Sequence, residues 1–459
     1  MFDTGKYPDI HFIGVGGVSM KSLALFCLGK GFIVSGSDIR DCPELSALAE
    51  KGVRVYAGHD PEFAASRSLV VYTAAIPADD PELCAARANK VLCMERKAFL
   101  ALIGGMFDHV AAVAGTHGKT TATAMLCAVM RGQGRSFVGH IGGDCVGGEC
   151  DSDGGSEWFV TEACEYNRTF LALRPTVAVV LNIAFDHPDC YRDEAEMREA
   201  FGIFADNIER GGTLIAERSE AAALARRGVA VKTFGYSSEC DYGACNVAYE
   251  NGFYSFDVVS DGKVVGRCAL KVRGKHNILN ALAAIAAAEA MGCDASEACR
   301  AISGFRGVRR RFEFKGKLPQ GADVYSDYAH HPDEIAAAID TARVMTKGRI
   351  TAVFEPHTFS RTKSLIEEFS ECFYWADEVM ILPTYAAREK PKEGGSAYDL
   401  YMKIKKKRRA CLYIEDYAAA AEYLVKHAQS NGIVLLLGAG NVERVWDEVR
   451  RIKSDGPMP

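Results

Sequence analysis

The chain has 459 residues, 48% hydrophobic and 25% charged, with 54 basic against 60 acidic side chains and a formal net charge of −6. That balance provides no electrostatic footprint for nucleic acid or an anionic membrane surface, and the length exceeds a single core, which predicts about three domains. No apolar run reaches the ~18 residues needed to span a bilayer, and no basic segment followed by an apolar stretch marks the N-terminus as a signal peptide.

The 16 cysteines are scattered without a Cys-x-x-Cys pair. Several, such as Cys27, Cys127 and Cys372, sit in apolar segments, where a free thiol behaves as a small hydrophobe. The expectation is a reduced, cytoplasmic chain. The basic run Lys403, Lys405, Lys406, Lys407, Arg408, Arg409 has no interleaved aromatics and reads as a solvated helix end.

In chain order, residues 10–14 form a short apolar strand that enters Gly14, Val15, Gly16, Gly17, Val18 and Ser19, then an amphipathic helix. The next strand ends in Ser37 and Asp38. An acidic residue about 20 positions after a glycine loop is the dinucleotide-binding arrangement, here with Ser19 in place of the third glycine. Alone, this loop supports a nicotinamide oxidoreductase, or a turn with no ligand. Thr73 follows a strand at 69–72. His59 follows one at 53–56, where an exposed turn histidine is the simpler reading.

Residues 109–130 carry the strongest signal. A β-branched strand breaks at Gly115 and is followed by Thr116, His117, Gly118, Lys119, Thr120 and Thr121, then an Ala- and Met-rich helix. Strand, glycine turn and helix are the context of a phosphate loop. It is a shortened variant, with Val113 where the usual spacing asks for glycine. Backbone N–H groups at the helix start favour an anion. Lys119 adds a point charge for the outer phosphates, and the Thr120 hydroxyl can ligate Mg²⁺.

Two further strands, at 158–160 and 177–181, deliver Glu162 and the Asp186-His187 pair to the same sheet edge. Glu162 is a candidate magnesium ligand, and His187 a candidate for a second ion or a bridging phosphate oxygen. Residues 234–256 predict a β-rich insertion. Arg273 to Ala281 leads a long Ala-rich helix, in which Asn277 is a possible N-cap and the Asn280 amide suits a nucleobase edge. After an expected linker at Ser303-Gly304, Arg309, Arg310 and Arg311 form either a solvated strand or an anion clamp. Alternating strands and helices then place Asp327, His330 and His331, and Thr358 with Arg361, at strand ends of another parallel sheet. The expected fold is α/β in three domains with a polar cleft between the second and third. They are a Rossmann-like domain (1–104), a central phosphate-loop domain with a parallel sheet (105–304) and a C-terminal Rossmann-like domain (305–459).

In their order and spacing, GVGG with SGSD, GTHGKTT, TEACEY, NIAFDH, GKHNILNA, GVRRRF, DYAHHP, EPHTFSRT and YAAREKP resemble the Mur ligases over nearly the whole chain. The resemblance implies that the first domain binds a UDP-sugar, not a nicotinamide, through Gly14, Gly16, Gly17, Ser37, Asp38, His59 and Thr73. It assigns Gly115, Thr116, His117, Gly118, Lys119, Thr120 and Thr121 to ATP phosphates, and His276, Asn277, Asn280 and Asp327 to the rest of the ATP site. Two Mg²⁺ ions are implied, held by Thr120, Glu162 and His187. Arg310 or Arg311 would reach the γ-phosphate, and His330 and Arg361 would line the same cleft. The implied activity is an ADP-forming ligase of peptidoglycan biosynthesis joining L-alanine to UDP-N-acetylmuramate through an acyl phosphate. A sister ligase for another amino acid or a recycled tripeptide is the alternative. The amine needs a base, for which His330 is a candidate and His187 a poor one if it binds metal. Substrates on separate domains imply hinge closure at linkers near residues 105 and 304, in a monomer or weak homodimer. Three departures stand out. Cys164 replaces an acid. Thr358 replaces an arginine linked to the amino-acid carboxylate, leaving that work to Arg361 alone or with Arg388. No lysine lies between His187 and Gly212, so no carbamylated lysine is expected.

Overall fold

The computed structural model describes residues 3–39, 41–148, 150, 154–237, 239–387, 389–407 and 410–454. Arg388, Arg408 and Arg409 lie outside the described residues. Among the described residues the strands form three sheets, of five, nine and six strands. Runs such as Val177–Val180, Ile350–Phe354 and Ile433–Leu437 are buried at every position. Their apolar composition, broken only by Thr351, is what a parallel strand covered on both faces requires.

The first sheet runs Arg54–Ala57, Ile33–Asp38, Asp9–Ile13, Leu69–Tyr72, Leu92–Glu95, all parallel. The third runs Glu313–Lys317, Asp323–Asp327, Ile433–Leu437, Ile350–Phe354, Glu378–Ile381, Cys411–Tyr413, with only its first strand antiparallel. In the central sheet His109–Ala114 lies between Trp158–Glu162 and Val177–Val180. The phosphate loop, Glu162 and the Asn182–His187 segment therefore leave one edge together. The β-rich segment expected as an insertion instead extends this sheet. Tyr242–Glu250 pairs in parallel with Ala230–Gly235, and two antiparallel hairpin strands follow. Helices Lys119–Gly132 and His276–Ala290 are buried against one another on one face. Their many alanines remove the side-chain bulk that would hold them apart.

Three expectations need correction. Ser303 and Gly304 form no linker but close helix Ala295–Gly304, where the Ser303 hydroxyl donates to the Cys299 carbonyl. The joint near residue 105 is a short turn over residues 105–108, braced by apolar packing on both sides. Helix Arg96–Gly104 buries Phe99, Leu100 and Ile103 in a core that continues through Val110, Phe159 and Phe170 of the central domain. The cysteines are not all reduced. Cys145 and Cys150 form a disulfide across a short turn, with Cα atoms 6.2 Å apart. Among the described residues no helix is long and apolar enough to cross a membrane.

The first glycine loop is closely packed. The N–H groups of Gly14 and Val15 donate to the Ser37 carbonyl, and Gly16 N–H donates to Asp38 Oδ2 at 3.1 Å. A Cβ on Gly36 would fall 2.6 Å from Val15 Cβ, inside van der Waals contact. Gly36→Ala is expected to destabilise the first domain by about 1–3 kcal/mol through overpacking, seen as a lower melting temperature and weaker binding of any ligand held by this loop.

Candidate active site

Gly115 and Gly118 hold positive φ, 141° and 87°. A side chain on Gly118 would meet Asn280 Oδ1 at 2.5 Å, so the turn packs onto the second buried helix. Thr116 fixes the loop by exchanging hydrogen bonds with the Ala184 backbone, its hydroxyl donating to Ala184 O and accepting from Ala184 N–H. Asn182 accepts from His117 N–H and donates to its carbonyl. Lys119 Nζ donates to the Gly115 and Thr116 carbonyls and to Glu165 Oε1, and lies 2.8 Å from Glu165 Oε2. Burial opposes the Lys119 charge, but Glu165 more than offsets it and the pKa rises. Burial likewise opposes ionisation of Glu165, whose pKa is nonetheless lowered by Lys119 and His187. Glu165, inside the TEACEY segment, was not singled out by sequence reasoning.

Glu162 accepts from the Thr120 hydroxyl at 3.2 Å and from Gly142 N–H. Burial raises its pKa, so its carboxylate lacks full charge compensation in the protein alone. Two hard oxygen donors beside an anion-binding turn fit Mg²⁺. His187 stands elsewhere, with Nε2 3.5 Å from Glu165 Oε1 and Nδ1 accepting from Arg361.

The third sheet closes this edge. Arg311 Nη2 donates to Thr120 Oγ1 at 3.1 Å. Arg310 does not share the task. It donates to the Gly438 and Gly440 carbonyls and pairs with Glu443, all within the third domain. The backbone explains the divergence, because Arg310 and Phe312 both have positive φ and the chain is twisted at each. His117 Nδ1 donates to Glu334 Oε1 at 3.2 Å, and His331 Nε2 donates to the Phe185 carbonyl. Arg361 grips Asp186 through Nε and Nη2 at 2.9 and 3.3 Å, and both side chains are buried. Burial alone would raise the Asp186 pKa, but His187 and Arg361 hold it far below the usual carboxylate range. Arg361 also donates to His357 Nδ1. His330 lies in the same group, its Nδ1 donating to the Tyr328 carbonyl, and burial lowers its pKa to about 4.

Beside the loop lies a cavity of about 400 Å³. Phe234, Val272 and Leu279 supply apolar walls, and His276, Asn280 and Asp327 supply polar groups. Asn277 is not the cap. It sits in the first turn, donating to the Arg273 carbonyl and accepting from Asn280. Asp327 accepts from Phe312 and Ala329 N–H, and burial pushes its pKa up to about 6. At the first glycine loop Ser37 departs from expectation. Its buried hydroxyl donates to Glu82, and only its carbonyl serves the loop. His59 lies against Asp80 and Glu82, 3.6 and 4.0 Å away. Thr73 Oγ1 accepts from Ala75 N–H in the turn after its strand.

The site is thus an ATP-type phosphate loop with oxygen donors for a divalent cation and an arginine supplied by another domain, the equipment of an enzyme that transfers or activates a phosphoryl group. The domain descriptions Mur ligase family catalytic domain, Mur ligase middle domain and Mur ligase glutamate ligase domain match residues 9–107, 113–288 and 310–440. The chain belongs to the Mur ligase family. It is 39% identical over 454 residues to UDP-N-acetylmuramate–L-alanine ligase of Acetivibrio thermocellus, covering 97% of this chain and 96% of that one. The same enzyme of Clostridium beijerinckii is 39% identical over 453 residues, with 97% and 98% covered. Among solved structures, the UDP-N-acetylmuramate–alanine ligase of Thermotoga maritima superposes with a TM-score of 0.81 at 26% identity, over 98% of this chain and 100% of that one.

His117 ties the phosphate loop to the third domain electrostatically. Burial works against its charge, but the carboxylates of Asp333, 3.7 Å from Nε2, and Glu334, hydrogen-bonded to Nδ1, raise its pKa from 6.5 to about 9. The imidazolium therefore contributes stability that is complete below about pH 6.5 and lost as pH rises through about 9. Denaturant titrations between those limits are expected to show stability falling with pH, and falling less steeply in His117→Gln.

Proposed function

We propose that this chain catalyses ATP-dependent, ADP-forming ligation of L-alanine to the carboxylate of UDP-N-acetylmuramate, a step of peptidoglycan biosynthesis on which cell-wall growth, cell shape and division depend. The observation that carries the reading is the meeting of Arg311 with Thr120 in the phosphate loop, in a chain similar over nearly its full length to ligases of that name. A nicotinamide oxidoreductase would leave Lys119, Glu162 and Arg311 without work.

In the first step a carboxylate oxygen of the sugar attacks the γ-phosphorus of ATP, and ADP leaves. The backbone N–H groups of Gly118 to Thr121, at the helix start, cradle the phosphates, while those of Thr116 and His117 are held by Asn182. Lys119 exchanges Glu165 for phosphate oxygen, and Arg311 faces the developing charge from the third domain. Thr120 and Glu162 hold Mg²⁺, with His187 available to a second ion. Bound there, the metal would supply charge to neutralise the phosphates and help hold the anionic reactants together. The cavity walled by Phe234, Val272 and Leu279 takes the adenine. In the second step the uncharged alanine amine attacks the acyl carbon, a proton leaves the nitrogen, and phosphate departs. His330 is neutral at physiological pH and so has a free nitrogen for that proton, but the burial that lowers its pKa to about 4 makes it a weak base until a bound anion raises it, while Arg361 faces the amino-acid side of the cleft. The first glycine loop and Asp38 hold the uridine diphosphate at a helix start. The enzyme acts in the cytoplasm, as a monomer or weak homodimer, without nucleic-acid or membrane partners.

Phosphate release by purified protein with ATP and Mg²⁺ tests the reading. Release is expected to require both UDP-N-acetylmuramate and L-alanine, and release that prefers glycine, serine or a tripeptide would move the assignment to a sister ligase. Arg311→Ala is expected to lower kcat by about 10³-fold or more, the scale of a phosphoryl-clamping arginine. Arg310→Ala should chiefly lower the melting temperature, with kcat affected far less.

A further inference from the structure

A continuous chain of hydrogen bonds joins the first glycine loop to the strand that carries Glu162. Arg96 Nη1 donates to Ser19 Oγ at 3.1 Å. Ser19 Oγ lies 2.9 Å from His140 Nε2, and His140 Nδ1 lies 3.0 Å from Thr161 Oγ1. The Thr161 hydroxyl donates to the Glu162 carbonyl at 3.0 Å. One proton arrangement satisfies every link. The Thr161 proton is committed to a carbonyl, so Oγ1 must accept from His140 Nδ1–H. In the neutral ring Nε2 is then the acceptor, so it takes the Ser19 proton, while Ser19 Oγ accepts from Arg96. All donors point from Arg96 towards Glu162. The arrangement needs a neutral imidazole, and burial, followed by the Arg96 cation, lowers the His140 pKa to about 4.

The chain crosses a domain boundary at one atom pair. Ser19 and Arg96 open helices Val18–Gly29 and Arg96–Gly104 of the first domain, and His140 and Thr161 end strands Phe137–His140 and Trp158–Glu162 of the second. No side chain caps the start of Val18–Gly29, so its N–H groups face an incoming phosphate together with the Ser19 hydroxyl and Arg96. At the other end, Thr161 and Glu162 are consecutive on a strand and project to opposite faces. Fixing one therefore fixes the direction of the other.

We propose that His140 is a positioning residue through which a UDP-sugar seated on the first glycine loop orients the Glu162 carboxylate for magnesium–ATP, so that the two substrates bind cooperatively. The proposal rests on the UDP-sugar reading of the first domain. Binding on the loop recruits Arg96 and Ser19, the Ser19–His140 link tightens or breaks, and Thr161 carries the change to Glu162. Coupling of this kind is reciprocal, each ligand altering the other's affinity by one factor.

Calorimetric titration of a non-hydrolysable ATP analogue with Mg²⁺, with and without saturating UDP-N-acetylmuramate, reads that factor. Wild type is expected to change affinity by about fivefold or more, the lower range of measured couplings. His140→Ala is expected to reduce the factor below about twofold, with each ligand alone binding close to its wild-type affinity. Should His140→Ala fail to fold, Ser19→Ala and Thr161→Val break the adjacent links. Each should remove most of the factor, and the pair no more than one alone. Equal coupling in wild type and variants overturns the role of His140, as does the absence of coupling in a wild-type protein that binds both ligands. Failure of wild type to bind UDP-N-acetylmuramate overturns the reading of the first domain as well.

Discussion

The Arg361–Asp186 pair sets the geometry of the catalytic cleft. Both groups are buried, and a buried ion pair is weak evidence for stability, because desolvation consumes much of its Coulombic attraction. Its value here is positional. A bidentate guanidinium–carboxylate contact is short and planar and tolerates little rotation. It joins the segment after Val177–Val180 to helix Phe359–Ser364, and so fixes where the third sheet stands against the phosphate loop. Arg311 reaches Thr120, and His117 reaches Glu334, only because that placement is fixed.

The same contacts explain how the charges near the loop are kept in balance before any nucleotide arrives. Lys119 is mostly buried, and its ammonium is held by two carbonyls and Glu165. Without Glu165 it would be an unpaired buried cation, costly enough to distort the loop. Glu165 thus preserves the turn while the phosphates are absent, and a phosphate can replace one anionic partner by another. Glu162 is the opposite case, a half-buried carboxylate with a raised pKa and too little positive charge around it. A divalent cation supplies what it lacks. One carboxylate is therefore matched to a fixed lysine, and the other to an ion that comes with the substrate.

The parts of this architecture that were legible in the sequence are the local ones. A strand, a glycine turn and a helix lie within about twenty residues, so the phosphate loop shows in composition and spacing. The alternation of apolar strands with amphipathic helices shows for the same reason. What sequence could not reveal depends on contacts between distant segments. Glu165 and Glu334 look like ordinary surface acids until folding sets them against Lys119 and His117, and Asp186, placed at the sheet edge beside His187, carries no sign of its partner Arg361. Arg310 and Arg311 are indistinguishable as letters, and the positive φ at Arg310 and Phe312 is what parts them. Ser37 illustrates strand alternation, since its neighbour Asp38 serves the loop while its own hydroxyl points into the core. Ser303-Gly304 has linker composition, but glycine and serine also end helices. Cys145 and Cys150 carry no pairing signal, because their proximity is made by the turn itself.

Packing also determines which domain can move. The first domain shares a core with the second through Phe99, Leu100 and Ile103, and separating them would expose apolar surface at roughly 25 cal/mol per Å². The third domain meets the second at the cleft through polar and charged contacts, Arg311, His117, His331 and Arg361 among them. Water can replace hydrogen bonds of this type at modest net cost, whereas it cannot replace buried apolar contact. Opening for substrate exchange is therefore easiest at the cleft between the second and third domains, beyond the segment 305–309, whose Phe305 and Val308 are buried in the second domain's core. That segment is also tied by two backbone bonds, Val146 N–H donating to the Gly307 carbonyl and the Asp144 carbonyl accepting from Arg309 N–H. The first domain, by contrast, transmits its ligand state through a fixed interface, which makes a hydrogen-bonded crossing such as Ser19–His140 more suitable for signalling than a hinge.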